Sequence, residues 1–254
     1  MTTKHLLIGM NLMNPKVAII IANYNYGDYV INAIKSIEKQ TYDGPIKIFL
    51  VDDGSSDDSW DKLSKYKESK KDQDKYNFIR IENSGASVAR NVAIEAALDW
   101  ADIFGILDSD DEYYPEKVEK LVAKLVEYPE VGVAYADYDI ETPVYSKQEL
   151  KPPYDRQVLL QRCIVHSNSL IKKEHLEAVR LPNGEFFDSR LHGPASQGFI
   201  GCTEDYDLWI RLSKICMITH VPECLARANE HGNNQSLKMT GEIFQKHAQI
   251  LGSR

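Results

Sequence analysis

The chain has 254 residues, 43% of them hydrophobic and 27% charged, enough apolar content for one sizeable core or for a domain with an appended subdomain. That balance excludes a disordered chain. The formal net charge of −8 argues against a protein that holds a nucleic-acid backbone non-specifically.

The first half alternates short apolar runs with helical patterns. Val17 to Ala22 is a continuous run of the kind a buried parallel strand requires. A helix follows over about Asp28 to Gln40, with Val30, Ile31, Ile34 and Ile37 on one face. Ile46 to Val51 is a second strand, after which Ser56 is expected to cap a helix whose first turn holds Asp57 and Asp58. The lysines from Lys62 to Lys75 are interleaved with acidic residues and read as a solvated helix and loop. Phe78 to Ile81 is a third strand, Ala86 to Leu98 a helix, and Ile103 to Leu107 a fourth strand. Pro115 suits the first turn of the next helix, which buries Val118, Leu121, Leu125 and Val126 and stops before Pro129. Val131 to Ala136 reads as a further strand, and Thr142 to Asp155, with three prolines, as loop.

This order predicts an α/β fold: a doubly wound, mostly parallel central sheet with helices on both faces and a mixed subregion from the second half. One domain is expected over residues 1–254, with a nucleotide-binding half over about 15–112 and an acceptor-side half over about 113–254. Ligands bind such sheets beyond the carboxyl ends of the strands. The polar clusters Asn23–Gly27, Asp52–Asp57 and Asp108–Asp111 fall at those ends.

Three clusters could carry chemistry. In V-D-D-G-S-S-D, from Val51 to Asp57, a strand-end carboxylate can accept hydrogen bonds from a base or ribose, and Gly54 allows a tight turn. The same residues also suit a plain strand-to-helix turn. In L-D-S-D-D, from Leu107 to Asp111, three aspartates within four residues repel one another unless a cation or proton intervenes. Such oxygen ligands suit Mg²⁺ or Mn²⁺ bound jointly with substrate phosphates; an acidic loop before the Pro115 helix is the other reading. In T-E-D-Y-D-L-W-I-R-L, from Thr203 to Leu212, Glu204 and Asp205 stand at a helix start, as general base or as cap. His231 lies in a polar loop and gains meaning only beside the other clusters.

Together these residues resemble glycosyltransferase family 2, the inverting enzymes with the GT-A fold. The resemblance rests on I-I-I-A-N-Y-N-Y-G-D-Y-V at Ile19 to Val30, on V-D-D-G-S-S-D, and on N-S-G-A-S-V-A-R-N at Asn83 to Asn91. It continues through L-D-S-D-D, T-E-D-Y-D-L-W-I-R-L and the His231 loop, about Val17 to Ser236 in all. It implies that Asn23 and Tyr24 lie at the base pocket, and that Asp53, with Asp52 beside it, contacts base or ribose. It implies that Arg90 lies against the nucleotide and that Asp108 and Asp110 form the D-x-D motif, Asp110 being the more direct metal ligand. It further implies that Asp205 is the catalytic base with Glu204 its neighbour, and that His231 joins the metal or the diphosphate. Two departures stand out. A-N-Y-N-Y-G replaces the threonine-rich start of many relatives, and Arg227 stands farther from His231 than in the usual R-x-H, which weakens a phosphate role for it.

The resemblance implies an inverting transfer from a nucleotide-diphosphate sugar, expected to be UDP-linked, to a hydroxyl acceptor, with Mn²⁺ or Mg²⁺ as cofactor. The acceptor could be a glycan, a protein or a modified nucleic-acid base. Its site is expected within Tyr138 to Gly201, with His166, Arg190, His192 and Trp209 as candidate lining. The rivals are a nucleotidyltransferase and a non-catalytic sugar-nucleotide-binding subunit. The first would carry a basic, glycine-rich loop after the first strand, whereas Asn23 to Asp28 has one glycine and no Lys or Arg. Cys163, Cys202, Cys216 and Cys224 form no C-x-x-C pair and read as reduced thiols. No apolar run reaches the roughly 18 residues that span a bilayer. The short apolar stretch Leu6 to Met13 reads as a leader or extra strand. A cytoplasmic location, at most peripheral to a membrane, is therefore expected, and the lack of a long membrane-associating tail argues against processive export.

Overall fold

The computed structural model describes residues 14–192, 203–232 and 234. The element order is β1 (Val17–Asn23), α1 (Val30–Glu38), β2 (Ile46–Asp52), α2 (Ser59–Glu68), β3 (Tyr76–Arg80), α3 (Ala86–Ala97) and β4 (Ile103–Ile106). Then come β5 (Glu112–Tyr113), α4 (Lys117–Glu127), β6 (Val131–Glu141), β7 (Ser146–Glu149), α5 (Arg156–Leu159), β8 (Leu170–Lys172), α6 (Lys173–Ala178), α7 (Glu204–Leu212) and β9 (Met217–Asn229).

The strands form one sheet in the order β3-β2-β1-β4-β8-β6-β9-β5, with β7 hairpinned onto β6. β3, β2, β1 and β4 are mutually parallel. From β8 onward the sheet is mixed: β8 is antiparallel to both β4 and β6, and β6 runs parallel to β9. A parallel half, β3-β2-β1-β4, is thus joined to a mixed half. The register of β6 on β9 slips at Val131/Val133, Ala136/Asp137 and Asp137/Asp139. Such bulges bend a strand and re-aim its side chains, and they occur often beside sites.

Both faces of the sheet are covered, which explains why β1 is apolar without alternation. Val17, Ile19 and Ile21 pack on one face with α1, α4 and Leu63 of α2. Ala18 and Ile20 pack on the other with α3, α6 and α7. Val17 to Ile21 are all fully buried. At roughly 1.5–3 kcal/mol for each large side chain, the four branched ones supply a substantial part of the driving force.

The helix and strand expectations hold for most elements, with shifted ends. Helix α1 begins at Val30 and α4 at Lys117, after Pro115, whose carbonyl instead accepts a hydrogen bond from the Thr41 backbone N–H. Ser56 does not cap α2. The helix starts at Ser59, and the Asp57 carboxylate accepts from the Ser59 N–H, because Asn25 Oδ1 has already captured the Ser56 and Asp57 N–H groups. The Thr142–Asp155 stretch is not all loop: it contains β7 and completes a hairpin. Strand β6 runs on to Glu141, and the thirteen-residue β9 was not anticipated. The Leu6–Met13 stretch and Cys202 lie outside the described residues.

Candidate active site

The carboxyl ends of the parallel strands open into a cavity of about 390 Å³, within the range that holds small ligands. Its wall includes Asn23, Tyr24, Asp53, Arg90, Asp108, Asp110, Glu204 and Asp205. Residues far apart in the chain thus converge because parallel strands end at one rim.

At the β1/β2 end, Asn23 and Asp52 are register partners. Asn23 Nδ2 donates to Asp52 Oδ1 at 3.0 Å. Asp52 also accepts from the Ser55 hydroxyl at 2.5 Å and pairs with Arg80 Nε at 3.3 Å. It is fully buried and absent from the cavity wall, so the structure places Asp52 behind the site, as the anchor of Asn23 and of the β2–α2 turn. Asp53 does face the cavity. Its carboxylate accepts the backbone N–H groups of Ser84 (2.7 Å) and Gly85 (2.8 Å), which ties the β2 end to the start of α3. Burial pushes the Asp53 carboxyl up, although those N–H bonds favour its charge. Gly54 has φ +69°, and a Cβ there would lie 2.7 Å from the Asn83 backbone nitrogen, so the turn needs glycine.

The D-x-D loop sends its carboxylates in different directions. Asp108 accepts from Arg90 Nη2 at 2.7 Å and from the Ser167 hydroxyl at 2.9 Å. Asp110 Oδ2 meets His231 Nε2 at 3.2 Å and Asn234 Nδ2 at 3.1 Å. Asp111 turns inward to Asn168 Nδ2 at 3.0 Å and the Asn229 N–H at 3.2 Å. Burial and the neighbouring aspartates push Asp111 well up and Asp110 to about 6. His231 stacks on Tyr29 at 4.6 Å and meets Tyr26 edge-on at 5.3 Å, which locks the ring against Asp110.

Arg90 joins this loop to the E-D pair. The buried guanidinium donates from Nη1 to Glu204 Oε1 at 2.5 Å while Nη2 holds Asp108. His192 Nδ1 reaches the same Glu204 oxygen at 2.8 Å. Burial opposes the Glu204 charge, but the His192 ring and Arg90 outweigh it and draw its pKa down to about 2. Asp205, next along α7, is affected in the opposite sense. Burial and the fixed charge of Glu204 push its carboxyl up to about 7, against the pull of Arg90. Two adjacent carboxylates therefore stand far apart in proton affinity, the arrangement that separates a structural anion from a proton acceptor. Helix α7 is held in place by Arg211, which bonds Asp207 and the carbonyls of Val179 and Phe186.

The acceptor-side expectations divide. His166 and His192 line the cavity. Trp209 does not: it is fully buried in the core beneath α7. Arg190 points outward, its side chain 61% exposed and bound to Asp188. Arg227 pairs with Glu112 at 2.6 Å away from the cavity wall. Within the expected Tyr138–Gly201 stretch, Tyr138, Lys151 and Ser167 also line the cavity without having been singled out; the polar H-S-N-S run just before the apolar β8 was the available signal for Ser167, and Asn168 of the same run holds Asp111.

Among the described residues, no three His, Cys, Asp or Glu side chains converge to hold an ion by themselves. Asp108 and Asp110 nevertheless share one loop and one cavity. That donor set fits Mg²⁺ or Mn²⁺, which take one or two protein carboxylates and complete their shell with substrate phosphate and water, rather than a zinc cage. No described helix is long and apolar enough to cross a membrane.

The model of glycosyl transferase family 2 matches residues 18–179. The chain is 30% identical over 202 residues to the UDP-Glc:alpha-D-GlcNAc-diphosphoundecaprenol beta-1,3-glucosyltransferase WfaP of Escherichia coli, covering 77% of this chain and 69% of that one. It is 26% identical over 243 residues to chondroitin synthase of Escherichia coli, 93% of this chain but 32% of the longer protein. Other curated relatives are spanned over only 36% to 66% of their length. Among solved structures, S. aureus TarS 1-349 in complex with UDP-GlcNAc superposes with a TM-score of 0.69 at 18% identity, over 93% of this chain and 65% of that one. That superposition establishes the shared GT-A fold, and the family match, which includes β1 through α6, establishes membership: the chain belongs to glycosyl transferase family 2.

Proposed function

We propose that the protein transfers a sugar, with inversion, from a nucleotide-diphosphate sugar to an acceptor hydroxyl, and that Asp205 is the base. The observation that carries this reading is the pair Glu204 and Asp205. One carboxylate is locked by Arg90 and His192, and the other faces the same cavity as the D-x-D loop with its pKa near 7. WfaP, whose name specifies a UDP-Glc donor, supports a UDP-linked donor here.

In this reading Asn23, Tyr24 and Asp53 receive the nucleoside at the β1/β2 end. The acceptor oxygen attacks the anomeric carbon while Asp205 takes its proton, and the bond to the diphosphate breaks with the electron pair leaving on the phosphate oxygen. A base so placed contributes roughly 10²–10⁴-fold. Arg90 keeps Glu204 ionised and orients Asp108. Asp108 and Asp110, with His231 packed behind Asp110, would hold Mg²⁺ or Mn²⁺, which supplies charge neutralisation of the leaving diphosphate.

The test is a thermal-shift series with UDP, GDP, CDP and ADP, each with and without Mn²⁺. Ligand at ~100 times its dissociation constant adds about 2.7 kcal/mol. UDP with Mn²⁺ is expected to raise the melting temperature by roughly 5–10 °C. No shift with any nucleoside diphosphate would refute the donor assignment.

A further inference from the structure

The cavity extends away from the strand ends that suit the nucleotide. In the sheet, β6 lies four strands from β2 and two from β4, with β8 between β4 and β6. At roughly 4.8 Å per strand, the β6 end stands on the order of 19 Å from the Asp53 end and about 10 Å from the D-x-D loop. The β6–β7 hairpin supplies Tyr138 and Ile140 to this end, followed by Lys151, and the loop before β8 supplies His166.

These side chains form an ordered group. The Tyr138 and His166 rings lie 3.9 Å apart, and Lys151 Nζ sits 5.2 Å from the Tyr138 ring centre. The chain at Lys151 is pinned on both sides. Its N–H donates to Asp137 Oδ1 at 2.7 Å, and the next carbonyl, that of Pro152, accepts from the Tyr135 hydroxyl at 2.8 Å. Only 16% of the Lys151 side chain is exposed, and its ion pair with Glu149 is long, at 3.7 Å. Burial, reinforced by the charge of Lys117, pushes the His166 ring towards its neutral form, so it packs on Tyr138 without adding a second cation. Arg90, the other Lys or Arg among the described lining residues, is occupied by Glu204 and Asp108. A hydroxyl of a neutral sugar returns one ordinary acceptor for partly desolvating Lys151, whereas an anion returns a stronger, charge-paired hydrogen bond.

We infer that this end of the cavity is an acceptor subsite for an anionic sugar, in which the Tyr138–His166 surface stacks the sugar ring and Lys151 Nζ pairs with its carboxylate or phosphate. The inference rests on the transferase reading, and it adds the chemical class of the acceptor.

The test uses the full chain saturated with UDP and Mn²⁺, so that the donor site is filled. It is titrated by NMR with methyl glucoside, methyl glucuronide and glucose 1-phosphate. At least one anionic sugar is expected to bind about 10-fold or more tightly than methyl glucoside. Lys151→Met should abolish that preference, Lys151→Arg should retain it, and the dissociation constant for UDP should change less than 2-fold in both. Preference for the glucuronide or for the phosphate identifies which group carries the charge. Equal or absent binding of all three sugars, or a preference that survives Lys151→Met, overturns the inference. So does a matching loss of UDP affinity, which would assign Lys151 to the donor diphosphate. Failure of UDP to bind the wild type would instead refute the transferase reading itself.

Discussion

Asp205→Asn should make the protein more stable above neutral pH while stopping transfer. Burial and the ionised Glu204 raise the Asp205 pKa to about 7 in the folded state, against 3.8 for an ordinary aspartate. The folded protein therefore holds this proton more tightly than the unfolded chain does, and stability falls as pH rises from about 4 to 7. That rise, from 3.8 to about 7, sets a ceiling of about 4 kcal/mol. Asp205 is only partly buried by surface area, so solvent screening reduces the realised value to about 1–2 kcal/mol. Asparagine is close in shape and removes this penalty. At pH 8 the variant should melt roughly 3–6 °C above the wild type, and below about pH 4, where the carboxyl is protonated in the folded protein and increasingly so in the unfolded chain, the difference should shrink towards zero. Asp205 is the second residue of α7, with Thr203 at the cap position, so the change does not remove a capping residue. Transfer should fall by roughly 10²-fold or more with UDP affinity intact. Calorimetry at both pH values and steady-state rates at pH 8, on the same preparation, decide the matter. A variant less stable than wild type at pH 8, or one that transfers within a few-fold of wild type, would refute the reasoning.

Other outcomes follow from the same geometry. In the wild type, kcat/KM should rise as pH increases through about 7 and then level off, because the base must be deprotonated; a flat profile between pH 5 and 8 would exclude Asp205 in that role. Arg90→Met leaves Glu204 and Asp108 without their shared cation and should cost about 3 kcal/mol or more, read as a lowered midpoint in urea unfolding at pH 7. Asp110→Asn should remove the Mn²⁺-dependent part of the UDP thermal shift while leaving the metal-independent part; a full Mn²⁺ response in the variant would place the ion elsewhere. Gly54→Ala should cost on the order of 1–3 kcal/mol by urea unfolding, since φ +69° and the close Asn83 nitrogen both oppose a Cβ.

The amino-acid pattern alone determined the layered architecture. The unbroken apolar run of β1 needs cover on both faces, and the spacing of Val118, Leu121 and Leu125 needs a helix with one buried side; these are local periodicities that any packing must respect. It also located the carboxylate clusters, because parallel strands deliver their C-terminal loops to a single rim. What each of those carboxylates does was decided only in three dimensions. Asp52 and Asp53 are neighbours of the same type, yet one is sealed against Arg80 and Ser55 and the other faces the cavity, since successive strand-end residues point to opposite sides. Trp209 and Arg190 suited an acceptor wall by type, but α7 turns the indole into the core, and the Arg190 guanidinium lies at the surface over the buried Asp188 carboxylate. The separation of Glu204 from Asp205 in proton affinity depends on Arg90, 114 positions away in the chain, and on His192. Electrostatic coupling falls with distance in space and is indifferent to distance along the chain, so the packing of α3 and the His192 segment against α7 makes one carboxylate an anchor and leaves its neighbour able to take a proton.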